Sequence, residues 1–268
     1  MDIRGILTGA AVAAVFGAAG YFAAINMDKP ADMPAGEPVQ VAGLSEAQQD
    51  EVRALVRDTL VTNPEILEEV SAALEQKRAD EEAERRKETI AQQKDLIFAS
   101  AADHAAGNPA GDVTVVEFFD YNCPYCKRAL GDINALLKAD PNVKVVFKEF
   151  PVLSEQSYDA AVVGVAVAKQ GLYMEFHDKL LSHQGRADKA LALQIAQEVG
   201  ADMAKLEADM ADPATVETIR STHSLADSLG INGTPAYVIG DEVLVGLAPL
   251  AELQKQVKSV RENGCKVC

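Results

Sequence analysis

Residues 118 to 129 read FFDYNCPYCKRA, with Cys123 and Cys126 on either side of a Pro-Tyr pair directly after an apolar run. Such a pair is a disulfide reagent, half of a metal site or a structural staple, and its place in the fold bears on which. Upstream, DVTVVEFFDY is a β-branched and aromatic run of strand length. Downstream, NCPYCKRALGDINALLKA has helical periodicity and NVKVVFKEFPV reads as a second strand. Strand, helix and strand in this order form a βαβ unit with a parallel pair, which sets CPYC at the first strand-to-helix junction.

Residues 157–229 carry repeated helical signals and almost no strand signal, so they read as a helical insertion. INGTPAYVIG and EVLVGL then resemble two short strands around the turn pair Gly240-Asp241, and APLAELQKQVKSVREN closes the domain as a helix.

At a helix N-terminus the backbone N–H groups and the helix dipole favour negative charge, so Cys123 is the residue held as thiolate, and Cys126, one turn inward, is the resolving thiol. A zinc site needs four ligands. The second CxxC pair, Cys265 and Cys268, lies at the far C-terminus, and His104, His177, His183 and His223 make no spaced metal motif. A staple between cysteines three apart closes a tiny loop and restricts the unfolded chain little. At 268 residues the chain can bury a core without one.

The formal net charge is -16, with 25 basic residues dispersed among 41 acidic ones, a field that repels a phosphate backbone, so nucleic acid is not an expected partner. Residues 1–27 carry Asp2 and Arg4 as their charges, then 23 uncharged residues rich in Ala and Gly, and read as a signal peptide or a membrane anchor over 5–27. Either one exports the rest of the chain, to the periplasm if the source is bacterial. A Pro-rich tether covers 28–44. Ser45 with Gln48 makes a capping box, Val52, Leu55, Val56 and Leu60 recur at helical spacing, and Asn63-Pro64 ends one helix and starts the next. Ile66, Leu67, Val70 and Leu74 continue the stripe, too narrow to be stable alone, so it must pack on the main domain or on copies of itself, with copies favoured. KRADEEAERRKE, residues 77–88, has five charges of each sign and reads as a solvated helical rod. Residues 45–106 are thus expected as a helical oligomerisation segment and stem, 107–264 as the cysteine-bearing domain and 265–268 as a CxxC tail.

FFDYNCPYC on a strand-to-helix turn, a helical insertion, and GTPAYVIG before a final strand pair resemble the DsbA-like branch of the thioredoxin superfamily over about residues 110 to 262. The arrangement of exported N-terminus, helices near NPEIL and charged stem looks most like the ScsC-type proteins, some of them oligomeric disulfide isomerases. The resemblance implies a thioredoxin-like α/β fold, a redox-active Cys123–Cys126 pair, and a cis Thr234-Pro235 bond beside Cys123. It further implies that Pro124, Tyr125, Thr234 and Pro235 meet the substrate, and that Glu117 moves protons to or from Cys126 from beneath. Lys148 is the expected partner of Glu117, since an unpaired buried carboxylate is costly.

The expected function is thiol–disulfide exchange on exported proteins as isomerase or reductase, with dithiol oxidase and copper-binding scaffold as the alternatives. A membrane redox partner is expected, together with homo-oligomerisation through the N-terminal helices. Exchange needs no cofactor, and no metal is assigned. The tail pair Cys265/Cys268 is open between a passive disulfide, an electron relay and a soft-metal ligand pair.

Overall fold

The computed structural model describes residues 43–265. The leader or anchor, most of the tether and residues 266–268 lie outside them. Among the described residues no helix is long and apolar enough to cross a membrane.

The chain divides into two compact units, residues 1–67 and 68–268. In the first, α1 (Glu46–Thr62) begins at the expected capping box: the Ser45 hydroxyl accepts from the Gln48 N–H while the Gln48 side chain accepts from the Ser45 N–H. Asn63 ends it, and Pro64 leads into α2 (Glu65–Phe98). The whole charged rod is helical.

In the second unit, β1 (His104–Gly107), β2 (Val113–Phe119), β3 (Val143–Glu149), β4 (Ala236–Ile239) and β5 (Glu242–Val245) form one sheet in the order β1-β3-β2-β4-β5. The β2–β3 pair is parallel, as α3 (Pro124–Ala139) between them requires, and the other pairs are antiparallel. Gly240 turns the β4–β5 hairpin at φ 62°, in the left-handed region that glycine adopts without strain. The insertion is five helices: α4 (Glu155–Ala168), α5 (Tyr173–Ser182), α6 (Lys189–Glu198), α7 (Met203–Ala211) and α8 (Pro213–Ser228). Helix α9 (Leu250–Asn263) closes the domain.

The sheet is buried on both faces. Val113, Val115 and Phe119 of β2 point into the larger core with Leu130 and Ile133 of α3, Phe176 of α5 and Leu253 of α9. Val116 and Phe118 point the other way, into a second core with Leu225 of α8 and with Ile90 and Ile97 of α2. Two boundaries therefore move. The end of α2 belongs to the domain rather than to a free stem, because Ile90 and Ile97, on either side of a break in the helix at Gln93 (φ -113°, ψ 16°), are both buried in the second core. The sheet also starts at His104, ahead of residue 107, since HAAG pairs as an edge strand with β3.

Candidate active site

The Cys123 turn is fixed before any chemistry is considered. Asp120, at the end of β2, is buried. Its Oδ1 accepts from the Asn122 N–H at 2.7 Å and its Oδ2 from the N–H groups of Val152 and Leu153 at 2.9 and 3.0 Å. Its carbonyl accepts from the Cys123 N–H at 3.0 Å. Asn122 reaches the helical insertion, donating to the Ala187 carbonyl at 2.9 Å and accepting from the Ala187 N–H at 2.8 Å. Lys127, in the first turn of α3, donates to the carbonyls of His183 and Gly185, both at 2.7 Å.

Cys123 is the N-cap of α3, with Pro124 as the first helical residue, a position where the missing N–H costs nothing. Cys123 and Cys126 are free thiols. The Cys123 thiol donates to the Thr234 carbonyl at 3.2 Å, and the Thr234-Pro235 bond is cis, so the two expected partners do meet at the sulfur. The thiol is held down to about 5. A hydrogen bond from the Cys126 thiol does most of this against the opposing effect of burial. The Thr234 side chain and the N–H groups of Cys126 and Tyr125 add to it. Cys126, fully buried, is pushed far up by burial first and by its hydrogen bond to Cys123 second. The two thiols are thus split into a ready nucleophile and a reluctant one.

Cys123 is only 3 % exposed, whereas Pro124 is exposed and Tyr125 is 52 % exposed, with the Arg128 guanidinium 4.6 Å from its ring centre. Thr234, whose carbonyl faces the sulfur, is half-buried, and Pro235 is buried. A cavity of about 340 Å³ flanks the turn, lined by Asn122, Leu153, Ser154, Gln156, Gly185 and Arg186. A larger one, about 680 Å³, is lined by Phe98, Val113, Thr114 and Arg261 at the opposite end of β2 and takes no part in the dithiol site.

Glu117 is buried with no partner for Oε1, and burial, then the Cys123 charge, pushes its carboxyl up to about 8. The expected pair with Lys148 does not form. Lys148 stands opposite Phe118 in the β2–β3 register and shares that residue's face, where its Nζ pairs with Asp103 and donates to the Leu96 carbonyl. Glu117 shares the face of Val115 and Phe119, so the sheet itself separates the two. Of the histidines, His177 is a packing residue, fully buried with its ring centre 4.5 Å from that of Phe147 and 4.6 Å from that of Phe119. Among the described residues no group of three or more His, Cys, Asp or Glu could hold a metal. Cys265 is disulfide-bonded.

Three positions of the site were not anticipated. Asp120 and Asn122 stand in the quoted stretch, but nothing in DYN marks their long-range bonds. Tyr237, in the in-register position opposite Glu117, lies within an apolar run that signals only a strand.

A family model for the DSBA-like thioredoxin domain matches residues 114–258. The chain belongs to the DsbA-like thioredoxin family. A second model, the copper resistance protein ScsC N-terminal domain, matches residues 48–81. Proteus mirabilis ScsC in a transitional conformation is 35% identical with a TM-score of 0.62, the match covering 82% of this chain and 100% of that one. A thioredoxin-like oxidoreductase from Silicibacter pomeroyi DSS-3 is 43% identical with a TM-score of 0.62, over 63% of this chain and 98% of that one. Among curated relatives, the Na(+)/H(+) antiporter NhaA 3 of Salinispora tropica is 32% identical over 139 residues, 51% of this chain; the chain spans about a fifth (21%) of that relative's length. The domain is therefore of the DsbA and ScsC thiol–disulfide oxidoreductase type.

Proposed function

We propose that the protein exchanges disulfides in exported client proteins, acting as isomerase or reductase through Cys123 and Cys126, in the periplasm of a bacterium. The observation that carries this is the Cys123 sulfur at the α3 N-cap, beside the Thr234 carbonyl, with its thiol held near 5. At neutral pH it is a thiolate, and a thiolate is the attacking species. It attacks a client disulfide and forms a mixed disulfide. Either a second client thiol displaces it, which isomerises the client, or Cys126 resolves it, which reduces the client. Glu117 exchanges the Cys126 proton from beneath. Pro124, Tyr125, Thr234 and Pro235 form the surface the client crosses.

Assembly through the N-terminal helices supports the isomerase direction, since several dithiols around a shared cleft would be shielded from an oxidising partner. The support for assembly is the apolar stripe of Val52, Leu55, Val56, Leu60, Leu67, Val70 and Leu74, each 36–65 % exposed, in the segment that matches the ScsC N-terminal domain. A membrane redox partner would keep the pair reduced.

Dithiol oxidation is the second reading, and the same lowered thiol favours it: stabilising the thiolate stabilises the reduced form and makes the disulfide a better oxidant. Refolding of a scrambled multi-disulfide substrate, run beside oxidation of a reduced dithiol peptide, separates the two. Reshuffling exceeding oxidation is expected; oxidation without reshuffling transfers the reading to oxidase.

A further inference from the structure

Beneath the dithiol, the strand register brings up a second unpaired polar group. Tyr237 of β4 is the direct cross-strand partner of Glu117. Residues directly opposite in an antiparallel pair share a face, with Cβ atoms about 4.5–5.5 Å apart. Val115, Phe119 and Ile239, the alternate residues of the same strands, lie in the core that also holds Cys123 and Cys126. Tyr237 is fully buried and its hydroxyl has no hydrogen-bond partner, just as Glu117 Oε1 has none. A buried phenol ordinarily finds one. Packing alone does not account for it, because phenylalanine would fill nearly the same space and leave no hydroxyl unsatisfied.

We propose that Tyr237 is a positioning residue for the exchange reaction, its hydroxyl being the donor that the Glu117 carboxylate uses as it takes the proton of Cys126. This rests on the exchange reading above. In the resolving step the Cys126 thiol gives its proton to the Glu117 carboxylate and its sulfur attacks Cys123 Sγ. The Cys123–Cys126 bond forms, and the bond from Cys123 to the client sulfur breaks. That client sulfur leaves as a thiolate and takes a proton from water. The client disulfide has gained two electrons and the dithiol has lost them.

The groups acting on the Tyr237 hydroxyl are Glu117 of β2, Cys126 and Asp132 of α3, and Cys123 at its cap. Phe147 is the neighbour of Glu117 on β3, and α9 contributes Leu253 and Val257 to this core. No cation is among them. An ammonium here would hold the carboxylate ionised at low pH and make it a poor proton acceptor. A phenol supplies a hydrogen bond without charge, which leaves the acid close to the pH at which it must work.

The test is Tyr237→Phe in the full chain. Carboxyl-carbon NMR of the reduced protein reads the Glu117 midpoint. Rapid quench reads two rates on a disulfide peptide, attack by Cys123 and resolution by Cys126. The Glu117 midpoint is expected to rise by about half to one pH unit, and resolution near neutrality to slow by about threefold to tenfold, with attack unchanged. In a Glu117→Gln background the second substitution is expected to add nothing. Should Tyr237→Phe fail to fold, incorporation of 3-fluorotyrosine, whose hydroxyl is the stronger donor, is expected to move the midpoint down. An unmoved midpoint, or equal slowing in the Glu117→Gln background, overturns the proposal. A parent chain that never attacks the peptide defeats the exchange reading instead, and the midpoint then still decides the part of Tyr237.

Discussion

The two faces of the β2–β3 pair treat buried charge in opposite ways. On the face toward α2 and α8, Lys148 is paired with Asp103, and both are almost fully buried. On the face toward α3, Glu117 is equally buried and has no partner for Oε1. At the far end of β3, Glu149 is intermediate, its Oε1 accepting from the hydroxyls of Tyr121 and Tyr173 at 2.9 and 3.0 Å. Pairing is what a structural charge needs, because a lone buried ion is destabilising. The group that lacks it lies beneath the reactive sulfurs, where a carboxyl poised near neutrality can move a proton. The difference separates a buried acid that is paired from one that is left free to titrate.

Four substitutions press on that contrast, in falling order of effect. Cys123→Ser should abolish exchange, by at least about a thousandfold in turnover of a disulfide substrate, with the fold intact by circular dichroism. Retained exchange would move the chemistry away from this turn. Lys148→Ala strands Asp103 and should destabilise the domain by about 3–5 kcal/mol in denaturant unfolding, while the Cys123 alkylation midpoint stays where it was. A shifted midpoint would mean that the two faces communicate.

Glu117→Gln tests the other face through pH. The folded Glu117 carboxyl sits near 8, above its ordinary value of 4.5. Its contribution to stability is therefore fully present below about pH 4.5, and is lost as pH rises toward 8. The amide should flatten part of that decline, leaving the share owed to Glu149, which is raised to about 8 by the same burial. Stability near pH 8 should rise by about 1–3 kcal/mol while resolution by Cys126 slows. A steeper decline would reverse the assignment. The smallest effect is expected for Thr234→Val. Loss of the hydroxyl should raise the Cys123 alkylation midpoint from about 5 by roughly half a pH unit, with stability nearly unchanged.

The features that the residues disclosed in advance divide along the same line. The CPYC turn, the parallel β2–β3 pair, the Gly240 hairpin and the break at Asn63-Pro64 rest on local signals: turn residues, periodicity, caps. The mistaken Glu117–Lys148 pair has a physical cause. VTVVEFF and VKVVFKE are buried on both faces, so no polar alternation tells one face from the other, and only the register between strands fixes the parity. HAAG gave no warning of β1, because four small residues carry little strand propensity and owe their pairing to β3. Ile90 and Ile97 did offer a sign, as large apolar residues that resume after the charged run.

The ties from Asn122 and Lys127 to the 183–187 loop carry a lesson for engineering. The turn that carries the two cysteines is not a portable cassette. Moved to another scaffold without carbonyls standing where those of His183, Gly185 and Ala187 stand, it would arrive with an asparagine and a lysine unmoored, and the sulfur would lose the frame that aims it. Loop grafts between relatives should therefore be cut outside both segments and exchanged together.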